Sequence, residues 1–433
     1  MKEAGENKNK ILLSTKTILE RDSFFVGGEM KSKRWWLFGV CLAVAILFVC
    51  NIGFKQIYSL PDGFMATVEE IENANQSGMF GSFVSASMQR SDQTVSTDKP
   101  GEGTVIFKLF GIIPIRKVNV ICSGEEEVYV GGTPIGISIS STGAIVINEK
   151  MVETEEGYKQ TQKSEKLKEG DLLTAVNGVA ISSLQQLSEV VEDSDSQNFD
   201  ITYVRKNKEC HATIKGEIDK NTGKYKLGLW VRDDVSGIGT LTYVNKQTNA
   251  FAALGHAITD NDNDVDVAGG SVYNCKLLGI DKGEKNNPGQ LRCMFLQSDE
   301  VKGEIYKNTK YGVYGRIDNL EGLVDPNLTL KLGGRLSVKP GKAYIVSSVS
   351  GIKEEYEIEI IKASYQAKAN DKSLVFRVKD RRLLELTGGI VQGMSGSPIV
   401  QNGKLIGAVT HVFMADPTKG YGVYSDWMVE NEI

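Results

Sequence analysis

Hydrophobic positions change their spacing three times along this chain. From Trp35 to Phe54 it reads WWLFGVCLAVAILFVCNIGF, an uncharged run of about twenty residues. At about 1.5 Å rise per residue such a run is long enough to cross a bilayer's hydrocarbon core as a helix. Over residues 55–105 the apolar positions thin out into NANQSG and SASMQRSDQTVSTDKPGEG, a composition that predicts a flexible tether, where proteolytic nicking and any self-cleavage would concentrate. From residue 106 short apolar runs take over: VIFKLFGIIPI, KVNVI, EVYVGG, and PIGISIS with Ile135, Ile137 and Ile139 alternating. Alternation of this kind predicts half-buried strands. An amphipathic helix interrupts the series, capped by Ser182 or Ser183 and carrying Leu184, Leu187 and Val190 or Val191. Over residues 217–433 the runs GIGTLTYVN, KLGGRLSVK, KAYIVSSVSG, EEYEIEIIKASY and KSLVFRVK are separated by turn signals, which predicts an all-β sandwich or barrel. The chain is therefore expected to be mainly β.

Charge orients the apolar run. Lys31, Lys33 and Arg34 stand directly before it and only Lys55 follows closely, so the positive-inside rule leaves residues 1–34 cytosolic and exports everything after Phe54. Cys50 to Gln56 offers no small-x-small cleavage site, which makes residues 35–54 a single-pass signal anchor rather than a cleaved leader. Met30, followed by KSKRWW, begins a normal basic n-region, and translation is expected to start there. Lys and Arg total 50 against 55 Asp and Glu, a net charge of −5 with no basic block, which argues against a nucleic-acid partner. Six cysteines with no CxxC pair, and three histidines, leave little from which to build a metal site. Chemistry without metal or cofactor is expected.

Within residues 106–216, LKEGDLLTAVNG forms a turn, a strand and an Asn177-Gly178 hairpin turn ahead of the helix. That order resembles the PDZ domains of bacterial envelope proteases. The resemblance implies that Pro134, Ile135, Gly136 and Ile137 form a carboxylate-binding loop whose N–H groups capture a peptide C-terminus.

The densest chemical signal is GGIVQGMSGSPIVQNGKLIGAVTHVF near the C-terminus. Glycines on both sides of Ser395 let the backbone turn sharply, project the hydroxyl, and aim the N–H groups of Gly393 and Ser395 at one developing oxyanion. A serine hydroxyl needs a base, and only His211, His256 and His411 are available. His211 reads as an edge-strand histidine and His411 as a side chain packed on its strand. His256, beside Gly255 at the end of a hairpin pattern, is the expected general base. The third member should be a carboxylate, and Asp260, Asp262, Asp264, Asp266 and Asp380 all qualify by order. DNDNDVD reads as a solvated loop, a poor place from which to orient a histidine, and lacks the full EF-hand pattern.

GHAITD, followed by KDRRLLELTGGIVQGMSGSPIVQNGKLIGAVTHVF and preceded by a PDZ-like unit and one membrane segment, resembles the stage IV sporulation protein B peptidases of endospore-forming bacteria. More distantly, GMSGSP and the His-then-Ser order are similar to trypsin-like serine proteases. The first resemblance matches Asp380 as the orienting carboxylate. The second implies a double β-barrel over residues 217–433, with Thr410 and His411 on the strand that pairs with substrate. Together they imply a serine endopeptidase made in the forespore and exported between the two forespore membranes, cleaving itself and the regulator of an intramembrane metalloprotease to trigger late mother-cell sigma-factor activation. A trypsin-like envelope stress protease and a non-catalytic PDZ scaffold are the alternatives; the PDZ-like unit preceding the catalytic residues argues against the first, and the intact serine and histidine against the second.

Overall fold

The computed structural model describes Val40 and residues 63–78, 80, 84–90, 101–122, 126–161, 167–261, 263–296, 299–363 and 369–432. The tail 1–34 with Met30 and, apart from Val40, the apolar run 35–54 lie outside the described residues. Among those described, no helix is long and apolar enough to cross a membrane.

A folded unit stands where the sequence predicts a tether. It comprises β1 (Gly63–Met65), α1 (Val68–Gln76), β2 (Val84–Arg90), β3 (Gly101–Leu109) and β4 (Ile113–Cys122), with strand order β1-β4-β3-β2. Helix α1 starts at Thr67, whose hydroxyl accepts the Glu70 N–H at 3.2 Å while the Glu70 carboxylate accepts the Thr67 N–H at 3.1 Å, a capping box. Phe64, Ile71, Phe80, Val84, Val105 and Phe107 pack into one core with Leu336 from the main body. Over the described residues 63–78, 84–90 and 101–105 the expected tether is replaced by folded structure, because their apolar side chains, scattered singly among Ser, Gln and Gly, form a face only once these strands pair. Arg335 fastens the unit down: its guanidinium donates to the Gly63 carbonyl and stacks 4.1 Å from the Trp427 ring, and Asp426 accepts the Met65 N–H at 3.2 Å.

The long strands that follow close into two six-membered rings. Between the rings lies β5 (Glu127–Val130), paired on one side with Leu229–Asn245 and on the other with Thr329–Leu332. In the first ring, β6 (Pro134–Glu149) pairs with Leu229–Asn245, then come Ala250–Ala253, Gly312–Ile317, Val301–Thr309 and Val267–Asn274, which returns to β6. The second runs Lys404–Val412, Pro398–Gln401, Gly341–Ser347, Glu354–Ala363, Leu374–Val378 and Lys419–Tyr424, and closes on its first strand. Ile135, Ile137, Leu241, Phe251, Val272 and Ile305 fill the first ring; Ile345, Tyr356, Phe376, Ile399, Ala408 and Val423 fill the second.

A further core, built on Leu173, Val176, Phe199 and Ile201 with Leu187 and Val191 from α2 (Leu184–Glu192), is an insertion into the first ring. Strand β6 leaves the ring after Ile139 and enters this core with Ala144 and Val146; Leu229 and Val231 lead back, and Val235 is again in the ring. The expected boundaries at 106 and 217 therefore move. β3 and most of β4 belong to the N-terminal unit, while β5 and the first half of β6 are ring strands that precede the inserted module. A strand buried along its whole length reads the same in sequence whether it serves one core or two.

Candidate active site

Ser395 and His256 are brought to the seam between the rings. Strand Ala250–Ala253 of the first ring ends in Leu254 and Gly255, both left-handed (φ +66° and +71°), and this turn throws His256 across to the second ring. A Cβ on Gly255 would sit 3.0 Å from Thr410 Cγ2 and 3.2 Å from the Val409 carbonyl, so the close approach needs glycine. Ser395 lies in the loop before Pro398–Gln401 and donates its hydroxyl to the Thr410 carbonyl at 2.8 Å. The residue preceding His256 thus packs on the residue that holds the serine hydroxyl.

The serine loop is pinned by the first ring. Thr240 donates its N–H to the Ser395 carbonyl at 2.9 Å and its hydroxyl to the Gly393 carbonyl at 2.7 Å, and the Thr242 hydroxyl reaches the Gly396 carbonyl at 2.8 Å. Met394 is fully buried beneath the loop. Gly393 and Gly396 carry φ of +95° and +97°, and a Cβ on Gly396 would collide with the Thr240 carbonyl. With Thr240 and Thr242 holding carbonyl oxygens, the N–H groups of Gly393 and Ser395 make no hydrogen bond among the described residues. Thr240 and Thr242 escape the sequence reading; their signal is a pair of threonines, two apart, on an otherwise apolar strand face.

His256 Nδ1 lies 2.8 Å from the Ala257 carbonyl. A carbonyl can only accept, so Nδ1 carries the proton and Nε2 keeps the lone pair a base requires. Burial pushes the imidazole below the ordinary histidine value, opposed by the Ala257 carbonyl and by the charge of Asp371. The His411 ring lies 5.1 Å from the His256 ring, and His411 Nδ1 is 3.7 Å from Asp371 Oδ2. Burial and the neighbouring His256 lower the His411 value as well, against the pull of Asp371. These three residues share an open cavity of about 550 Å³ with Thr259, Asp264, Lys310 and Tyr311.

Asp380, expected as the orienting carboxylate, is engaged elsewhere. It caps helix α3 (Arg381–Thr387), accepts the Arg382 N–H at 2.9 Å and the Glu357 N–H at 3.4 Å, and pairs with the Arg382 guanidinium at 2.9 Å. That guanidinium holds its pKa below the usual carboxylate value. Of the two carboxylates lining the cavity with His256, Asp264 and Asp371, it is Asp371 whose charge acts on the imidazole. Asp371 sits in NDKS with no motif around it, and His411 reads as a packed strand residue; only the folding of the second ring brings them to His256. His211 is exposed beside Glu209.

Pro134, Ile135, Gly136 and Ile137 do not form a carboxylate-binding loop. They lie in β6 with both edges paired, to residues 237–240 on one side and 272–274 on the other, so no row of N–H groups is left for a peptide. The DNDNDVD segment is also less solvated than its composition implies. Asn263 is buried, donating to the Gly170 carbonyl at 2.7 Å, and Asp260 pairs with Arg232 at 3.0 Å. Asp266 is exposed, and Asp262 lies outside the described residues. Among the described residues no cluster has metal-ligand geometry.

Residues 223–429 match the family described as SpoIVB peptidase S55. This segment belongs to that family. The chain is a serine peptidase. Its first-ring strands β5 and β6 lie ahead of the matched segment. No curated protein matches the chain. Among solved structures, the PDZ domain of the SdrC-like protein from Listeria monocytogenes is similar over 22% of this chain and 90% of its own length, at 23% identity and a TM-score of 0.17. The HtrA-type protease AlgW with decapeptide is similar over 70% of this chain and 64% of its own, at 9% identity and a TM-score of 0.28.

Proposed function

We propose that the chain is a membrane-anchored signalling endopeptidase in which Ser395 is the nucleophile and His256 the general base. The observation that carries this reading is the joining of Ser395 and the His256 turn through Thr410 within a segment that matches a serine peptidase family. The Ser395 hydroxyl leaves the Thr410 carbonyl, gives its proton to His256 Nε2 and attacks the substrate carbonyl. His256 then returns the proton to the leaving amine. The N–H groups of Gly393 and Ser395 receive the oxyanion. Asp371 and the His411 ring face the imidazolium that forms, and Asp371 takes the stabilising role expected of Asp380.

The biological setting follows from the family resemblance. The chain would be anchored by residues 35–54 with its N-terminus cytosolic and its catalytic rings between the forespore membranes. It would cleave itself and the regulator of an intramembrane metalloprotease, leading to late mother-cell sigma-factor activation. The test is to treat the detergent-solubilised full chain with an active-site phosphonate and map the adduct by mass spectrometry. Label on Ser395, lost in His256→Ala and Ser395→Ala together with self-cleavage, is expected; an unlabelled wild-type chain that cuts neither itself nor a protein substrate refutes the mechanism.

A further inference from the structure

The tip of the β3–β4 hairpin is apolar and exposed. Ile112 is 80% exposed, Ile113 55% and Phe110 54%, at a turn closed by the Ile112 N–H on the Leu109 carbonyl at 3.1 Å. Phe107 and Val105, two and four residues before Leu109, are fully buried in the unit's core, so the hairpin changes from core to exposed apolar surface within one turn. Lys108, Arg116 and Lys117 stand just behind the tip.

β1 runs parallel to β4 with Gly63 opposite Asn119, so the N-terminal end of β1 points toward the Ile113 end of β4. Ile113 lies six residues before Asn119, which at strand rise places the tip about 20 Å past the N-terminal end of β1. Eight residues, 55–62, separate Phe54 from Gly63, and these reach at most about 29 Å. A linker of that length is long enough to bring the end of the apolar run 35–54 level with the tip.

We propose that Phe110, Ile112 and Ile113 dip into the lipid surface beside the point where the chain leaves the bilayer, with Lys108, Arg116 and Lys117 against anionic headgroups. The proposal rests on the reading of residues 35–54 as a membrane segment. Three large apolar side chains backed by cations have the composition of a shallow interfacial anchor, and a second attachment point fixes the orientation of the rings relative to the membrane.

The full chain is reconstituted into vesicles of phosphatidylcholine and phosphatidylglycerol carrying a nitroxide at a shallow acyl position, with the fluorescent amino acid dansylalanine in place of Ile112 or, as control, of Ile352, which is 67% exposed on the second ring. Alkaline carbonate extraction is run on the same vesicles. The expected result is retention after carbonate, with emission at 112 quenched roughly threefold more than at 352. Arg116→Glu combined with Lys117→Glu should bring quenching back to the control level. Retention with equal quenching at both positions overturns the proposal while sparing the membrane segment. A blue shift at 112 without lipid quenching assigns the tip to protein contact and overturns it too, and release by carbonate removes the membrane segment and the proposal with it.

Discussion

Asp371 and Asp380 can be separated by experiment, because the structure gives them different work. Asp371 Oδ2 lies 3.7 Å from His411 Nδ1, and the His411 ring lies 5.1 Å from that of His256. Those two steps put the carboxylate no more than roughly 10 Å from the His256 ring, where two unit charges at an effective dielectric constant of about 20 interact by about 2 kcal/mol. The Asp371 side chain is 34% exposed, and solvent screening reduces this to about 1 kcal/mol. Asp371→Asn should therefore lower kcat/KM about fivefold on the pH plateau, since the imidazolium formed during proton transfer loses that stabilisation. The carboxylate raises the His256 pKa, so its removal lowers it further. The acid limb of the pH–rate profile, already below the ordinary histidine value of about 6.5, should move to lower pH. Asp380→Asn keeps a good N-cap residue on α3 and loses only the exposed Arg382 pairing, so its plateau rate and acid limb should match the wild type. Profiles of kcat/KM for a fluorogenic peptide, taken with melting temperatures, decide the matter. Loss of activity in Asp380→Asn at an unchanged melting temperature, with Asp371→Asn unaffected, refutes this assignment.

Two further substitutions probe the serine loop, and a third the buried pair that fastens the N-terminal unit. Thr240→Val removes the 2.7 Å bond to the Gly393 carbonyl and leaves that acceptor unpaired at a cost of about 1–3 kcal/mol; kcat should fall about tenfold with KM little changed, and a changed KM at constant kcat would contradict a role in holding the oxyanion loop. Gly396→Ala places a Cβ against the Thr240 carbonyl at a φ of +97°, and phosphonate labelling of Ser395 should be lost even where circular dichroism shows a folded chain. Asp426→Ala strands Arg335, which like Asp426 has a fully buried side chain. Removing one partner of such a pair costs about 3–5 kcal/mol, read as a lower urea midpoint, and a midpoint within error of wild type would refute the buried-pair account.

The mainly β character is legible because period-two alternation survives in runs such as PIGISIS and YEIEI, and the turn at Ser395 is legible because its glycines announce one whatever surrounds them. His256 stands out for a similar local reason: Gly255 marks a close approach. Asp371 and His411 carry no such mark, since their chemistry arises from the second ring bringing Leu374–Val378 beside Lys419–Tyr424 and Lys404–Val412. Asp380 draws attention through sequence resemblance, yet an Asp before Arg381-Arg382-Leu383 is also a helix N-cap signal, and that local role is the one it fills. The N-terminal unit is hidden because Phe64, Phe80 and Val84 are too sparse to show a period, although Thr67 and Glu70 spell a capping box.

The inserted module and the segment that follows His256 are tied together by strands and by polar contacts. Two strands, β6 and Leu229–Asn245, join the first ring to the module, their pairing stepping from Ser140 opposite Asp234 to Ile145 opposite Arg232 at the base of the module. The segment after His256 then ties back to it: Asn263 holds the Gly170 carbonyl at 2.7 Å, Asn263 Oδ1 accepts the Asn207 N–H at 3.0 Å, and the Asp264 N–H reaches Asn207 Oδ1 at 3.0 Å. Thr259 and Asp264 of the same segment line the cavity that holds His256 and Asp371. Hydrogen bonds, one of them buried, thus join the Gly170 and Asn207 turns to a segment that lines the cavity with His256. A polar tie of this kind has two distinct states, made and broken, which a purely apolar contact surface between module and ring would not supply.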